Sequence, residues 1–127
     1  SVVRHLGQSA GQIIDAAMRV HARLGPGLLE SAYEACLACE LQRRGRDVVR
    51  QLALPVEYDG LRIDAGYRID LLVDELVVVE LKAVEVINPI HRAPLLSYLR
   101  LSRKRVGLLI NFNVRRLRDG IERFVND

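Results

Sequence analysis

The segment Tyr67–Ala83, YRIDLLVDELVVVELKA, constrains the fold more than any other part of the chain. Its Val, Leu and Ile content is that of buried strands. Asp70, Glu80 and Lys82 nevertheless lie inside it, where an ionised group is costly unless it is paired or holds a metal. Side chains alternate faces along a strand, so register decides which of them meet. If Val73 pairs with Val77 across the loop Asp74-Glu75-Leu76, then Ile69, Leu71, Val73, Val77, Val79 and Leu81 share one apolar face. Arg68, Asp70, Leu72, Val78, Glu80 and Lys82 share the other, with Asp70 directly across from Glu80. A loop shorter by one residue would separate the carboxylates and bury charge on one side. The longer loop is therefore expected.

Cross-strand neighbours have Cβ atoms about 4.5–5.5 Å apart, a spacing at which two carboxylates can hold one cation. Two like charges ~4 Å apart repel by about 4 kcal/mol at an effective dielectric of about 20. A divalent cation removes that penalty, and hard oxygen ligands favour Mg²⁺ or Mn²⁺. Lys82 points to the same side as Glu80, where it can orient or deprotonate a water or face a phosphate. The plainer alternative is a cluster of ion pairs on a solvated sheet face.

The rest of the chain reads as helices and strands in a definite order. GQIIDAAMRVHARLG has helical apolar spacing that stops at Gly25-Pro26-Gly27, and LLESAYEACLACELQRRG resumes it as far as Gly45. Val48–Tyr58 reads as extended, with Pro55 marking an edge or bulge, and Asp59-Gly60 as a turn. Leu61–Val73, with a kink at Gly66, and Leu76–Ala83 follow as strands. NPIHRAPLLSYLRLSRK reads as a helix capped by Asn88 with Pro89 at its first position. RVGLLINF is a fourth strand and VRRLRDGIERFV a closing helix. The expected fold is α/β (α+β), in the order α-α-β-β-β-α-β-α, with a mixed four-stranded sheet flanked by helices.

At 127 residues the chain is expected to form one domain, 1–127. No apolar run approaches the ~20 residues of a membrane span and no signal peptide is visible, so the expected setting is cytoplasmic, without a membrane partner. Cys36 and Cys39 fall in mid-helix rather than at a helix N-terminus and lack a second cysteine pair, so they read as small core or boundary residues in a reducing compartment.

GPGLLESAYE supplies a second constellation. Gly27, Glu30 and Tyr33 recur at intervals of three, placing Glu30 and Tyr33 near each other at a helix start. An acidic residue there is also what the helix dipole favours by itself. GLLESAY resembles the G-x-x-E-x-x-Y signature of a group within the PD-(D/E)xK nuclease superfamily. Asp70, Glu80 and Lys82 resemble that superfamily's core D-x(n)-E-x-K, and GLLINF its following strand. The resemblance covers roughly Ile13 to Val125.

It implies a restriction-endonuclease-like core and phosphodiester hydrolysis dependent on Mg²⁺ or Mn²⁺. It further implies that Asp70 and Glu80 bind the metal, with the main-chain carbonyl of Leu81 as a further ligand. Lys82 would act on the attacking water or the scissile phosphate. Glu30 would approach from its helix, through water or beside a second cation, with Tyr33 nearby as a substrate contact. Relatives often carry a glutamine four residues before a tyrosine on the next helix. Here Pro94 stands in place of the glutamine and Tyr98 remains.

His91, one turn before Pro94, is a candidate for a polar role beside the substrate, whereas His5 and His21 have no metal-ligand partners in the sequence. Arg100, Arg103 and Lys104 form a basic group suited to phosphates, and Arg115, Arg116 and Arg118 a second one, though charge runs are also ordinary solvated surface. The net charge of +3 is compatible with a polyanionic partner. Aromatic platforms for single strands are sparse, with two Phe, four Tyr and no Trp. The expected activity is a metal-dependent nuclease preferring DNA to RNA, with a homodimer suited to cutting duplex. The alternatives are an inactive nucleic-acid-binding module on the same fold, which Pro94 favours, and a glycosidase using Asp70 and Glu80.

Overall fold

Helix α1 (Val2–Leu24) forms because Leu6, Ala10, Ile13, Ala17 and Val20 recur at helical spacing and are all buried on one side. The computed structural model, which describes residues 1–126, starts this helix well before the apolar stretch noted in the sequence. Ser1 caps it, its hydroxyl accepting the Arg4 N–H at 3.2 Å. The helix ends at Gly25, whose φ of 68° a side chain would resist. Helix α2 (Glu30–Arg43) follows, with Tyr33, Leu37, Ala38 and Leu41 buried.

The sheet strands are β1 (Val48–Ala53), β4 (Arg68–Val73), β5 (Val77–Lys82), β6 (Val106–Asn111) and β7 (Ile121–Val125). They lie side by side in the order β1-β4-β5-β6-β7. Only β5 and β6 are parallel, joined by helix α3 (Pro89–Ser102); the other neighbours are antiparallel. Two short strands, β2 (Val56–Tyr58) and β3 (Leu61–Ile63), form a separate hairpin. Its turn residues Asp59 and Gly60 both have positive φ, as a tight hairpin turn requires. The expected long strands Val48–Tyr58 and Leu61–Val73 are therefore each divided, the first at Leu54-Pro55 and the second across Asp64–Tyr67, to let this hairpin leave the sheet.

The mixed α/β architecture agrees with the sequence, but the sheet has five strands rather than four. The correction lies at the C-terminus, where the expected closing helix is a short 3-10 turn, Leu117–Gly120, followed by β7. All six residues of β6 are buried, so it is an inner strand and needs a hydrogen-bonding neighbour on each side. Strand β7 supplies the second neighbour, pairing from Val106↔Val125 to Ile110↔Ile121. Gly120 makes the entry possible, because a Cβ there would collide with the backbone carbonyl oxygen of Asn111. Gly120→Ala is expected to cost about 3 kcal/mol, since backbone rather than a mobile side-chain tip must move. Chemical denaturation checks this, and an unchanged midpoint would disprove the account.

Helices α1 and α2 cover one face of the sheet and α3 the other. The first core holds Ile13, Tyr33, Leu37, Leu71, Val73, Val79 and Leu108, the second Ile69, Leu72, Val78, Leu95, Leu99 and Leu109. Gly107 lets α3 approach, since a Cβ there would meet Leu95 Cδ1 at 2.9 Å. Asn88 and Pro89 start α3 as expected, and Pro94 lies within it on an exposed surface rather than beginning it. The helix continues through Pro94 at the expense of one backbone hydrogen bond.

Candidate active site

Val73 pairs with Val77 across Asp74-Glu75-Leu76, as the alternation of side chains requires. Asp74 and Glu75 take positive φ to close the turn. The ladder continues through Leu72↔Val78 to Leu71↔Val79 and then stops. The next pair in that register is Asp70 and Glu80, where the strands part. The Leu81 N–H donates to Asp70 Oδ2 at 2.9 Å, so a carboxylate replaces a backbone rung.

The parting has a visible cause on β1. Gln51 has a φ of 51°, and the β1–β4 pairing skips Gln51 and Asp70 while continuing on both sides of them. Arg50 and Gln51, consecutive along the strand, both reach Glu34 of α2. Beyond this kink the faces are exchanged. Ile69, which alternation assigns to the face of Leu71 and Val73, packs instead in the second core with Leu52, Leu54 and Leu72. Asp70 is the pivot, and its carboxylate opens into the slit between β4 and β5.

Glu80 is 7% exposed and its carboxyl is pushed up to about 10. Burial is the main cause, followed by a carboxyl–carboxyl hydrogen bond with Asp70 and repulsion by its charge, with Lys82 opposing. The structure thus brings Asp70 and Glu80 together, and Lys82 acts on Glu80 through its charge. A pair this close also argues against the glycosidase alternative, whose two carboxyl groups need a separation of about 5 Å or more.

A hollow of about 360 Å³ adjoins the slit, lined by Glu30, Ser31, Glu34, Gln51, Asp70 and Leu81. Glu30, the exposed first residue of α2, therefore faces the same space as Asp70 and the Leu81 main chain. Glu34 and Gln51 join the site in the structure beyond the residues that the sequence motifs mark. Glu34 is 7% exposed, and Gln51 Nε2 bridges it to Asp70 at 2.6 and 3.1 Å. The one available signal was the spacing of Glu34 from Glu30, one helical turn.

Several expected contacts are corrected. Tyr33 is not at the hollow: it is fully buried, stacked on Phe112 with ring centroids 4.4 Å apart. Its hydroxyl donates to the Gly25 carbonyl at 2.6 Å and accepts the Leu28 N–H at 3.1 Å, pinning the loop before α2. Tyr33→Phe is expected to cost about 1–2 kcal/mol of stability. Calorimetry checks it, and no loss would mean that the loop is held by other contacts. His91 uses Nδ1 to accept the Asn88 N–H at 3.0 Å and so caps α3. Cys36 and Cys39 are free and exposed rather than in the core.

Arg100, Arg103 and Lys104 are not beside the carboxylates. They lie where α3 runs into β6, opposite Val77, whereas Lys82 lies at the far end of the same ladder opposite Asn111. Arg115 and Arg116 follow that far end and are exposed on a loop whose Val114 carbonyl is held by His21 Nε2 at 2.8 Å. Tyr98 does lie near the pair. Its phenol is pushed above its ordinary range by burial and by the charges of Glu80 and Asp70.

Among the described residues no three His, Cys, Asp or Glu side chains converge closely enough to hold an ion by themselves. The donor set nevertheless suits Mg²⁺ or Mn²⁺, which is commonly held by one or two carboxylates with waters and substrate phosphates completing the shell. A family model described as the PD-(D/E)XK nuclease superfamily matches residues 7–124. No match was found among curated proteins or among solved structures.

Proposed function

This chain belongs to the PD-(D/E)XK nuclease superfamily, and on that premise we propose that it is a metal-dependent nuclease of the GxxExxY group, acting on DNA in preference to RNA. The observation that carries the reading is the parted ladder, which brings Asp70 and Glu80 together beside the Leu81 main chain and the hollow. Asp70, Glu80 and the Leu81 carbonyl would hold Mg²⁺ or Mn²⁺. When bound, the cation lowers the pKa of water and neutralises charge developing on phosphoryl oxygens.

The chain's own residues supply the rest. Lys82, next but one to Glu80, orients the attacking water, accepts its proton or stabilises phosphate charge. Gln51 fixes the Asp70 carboxylate while that carboxylate holds the Leu81 N–H. Glu30 faces the same hollow and is placed to act through water or beside a second cation. Arg115 and Arg116, at the carboxylate end of the sheet, suit flanking phosphates. Two free, exposed cysteines fit a reducing setting such as the cytoplasm.

Incubation with Mn²⁺, DNA and RNA side by side tests this. Metal-dependent cleavage that disappears in Asp70→Ala and Glu80→Ala supports the proposal. Tight Mn²⁺ binding without turnover on any nucleic acid would make the chain a binding module instead.

A further inference from the structure

The second face of the sheet carries a trough that the nuclease reading leaves unused. About 530 Å³ of it lies between α3 and the β2–β3 hairpin region, walled by Val56, Tyr67, Ile90, Pro94, Ser97 and Tyr98. Two of the four tyrosines therefore meet here, which their scattered sequence positions conceal. Their ring centroids are 6.2 Å apart and inclined at 52°, so neither ring covers the other's face. Tyr67 is 46% exposed and Ile90 74% exposed, which leaves a sizeable apolar and aromatic surface in water.

The two ends of the trough differ in charge. At one end Tyr98 packs on the second core with Val78 of β5, the strand that carries Glu80 two residues further on. At the other, Leu101 is shared with a second hollow bordered by Pro55, Glu57, Arg100 and Arg103. Glu57 there is already paired with Arg62. Along α3, Arg100 and Arg103 stand about 3–8 Å beyond Tyr98 at the helical rise per residue.

We infer that the trough seats an unpaired nucleobase, so that the strand is single where it passes the carboxylates. The base lies on Tyr67 and Tyr98. The phosphate on one side of it reaches Asp70, Glu80 and Lys82, and those on the other side run toward Arg100 and Arg103. A base inside a duplex has both π-faces covered by its neighbours and gains nothing from an aromatic wall, whereas an unpaired base stacks whatever its sequence. The inference rests on the nuclease reading for the choice of nucleic acid as partner.

Tyrosine emission provides the test, because the chain has no Trp. A short oligothymidylate and an abasic strand of equal length and charge are titrated into the protein, with and without Ca²⁺ in place of Mn²⁺. Quenching by oligothymidylate is expected, with affinity about 5- to 100-fold above that of the abasic strand. Tyr67→Leu and Tyr98→Leu should each remove most of that difference, while Tyr98→Phe should retain it.

Equal affinity for the two strands, or an undiminished difference in Tyr67→Leu, would overturn the inference. So would a dimer that Tyr67→Leu dissociates, since a second copy would then fill the trough. The readout is binding, so it separates the two proposals. Base-dependent binding without cleavage sinks the nuclease activity alone, and cleavage indifferent to the base sinks this inference alone.

Discussion

Changing Lys82 to alanine is expected to slow Mn²⁺-supported cleavage by ~10²–10⁴-fold, the usual range for losing a positioned acid–base group. Lys82 closes β5, the strand that carries Glu80, and its charge acts on that carboxyl against the effect of burial. Mn²⁺ binding should survive in the variant, because the carboxylates and the Leu81 main chain are untouched. Lys82→Arg then divides the roles. Arginine keeps the positive charge but does not give up its proton in this pH range. Substantial rescue by arginine identifies a charge acting on phosphate; no rescue identifies proton transfer. A Lys82→Ala enzyme as fast as the parent would remove Lys82 from the mechanism.

The metal-free protein is expected to lose stability as pH rises, which is opposite to the behaviour of an ordinary salt-bridged carboxylate. Glu80 is pushed up to about 10 in the folded chain from an ordinary value of 4.5. Between those values the folded chain holds a proton that the unfolded chain has released, so stability falls with increasing pH. The slope is about 1.4 kcal/mol per pH unit, amounting to roughly 3 kcal/mol between pH 4.5 and neutrality. Glu80→Gln keeps the shape without the ionisation and should flatten this dependence. Thermal melts from pH 5 to 9 in EDTA measure it. A parent whose Tm rises across that range would show that Glu80 ionises freely.

The sequence made the Asp74-Glu75-Leu76 hairpin legible because strict alternation leaves one register that keeps aliphatics together. Asp70 and Glu80 could be brought together from that alone. Alternation fails at Ile69 because it assumes an unbroken strand, and Gln51, whose backbone breaks the pattern from a neighbouring strand, has nothing in its side chain to announce a positive φ. The same kink turns Gln51 toward Asp70 and Glu34, so its place at the site is illegible in the sequence, whereas Glu34 is carried there by α2, one turn after Glu30. Residues 121–125 read as helix because the adjacent charges Glu122 and Arg123 break strand alternation, while Ile121, Phe124 and Val125 have the i, i+3, i+4 spacing of one helical face. Only the demand of the doubly buried β6 for a second neighbour resolves it. Tyr33 lay at the correct helix start, but its spacing from Glu30 could not say that a fully buried pocket beside Phe112 awaited it.

The kink at Gln51 also bears on how copies of the protein can meet. Strand β1 is an edge of the sheet, and a flat edge offers unpaired N–H and C=O groups to any passing strand. With Gln51 in the left-handed region, hydrogen-bonding groups on either side of it are turned out of line. A second chain cannot add there in register without straightening β1, which would close the slit and draw Asp70 back into the ladder. The irregularity that opens a place for chemistry thus discourages continuous sheet extension from that edge. A homodimer built for duplex cleavage would have to form through the opposite edge, β7, or through helices or loops instead.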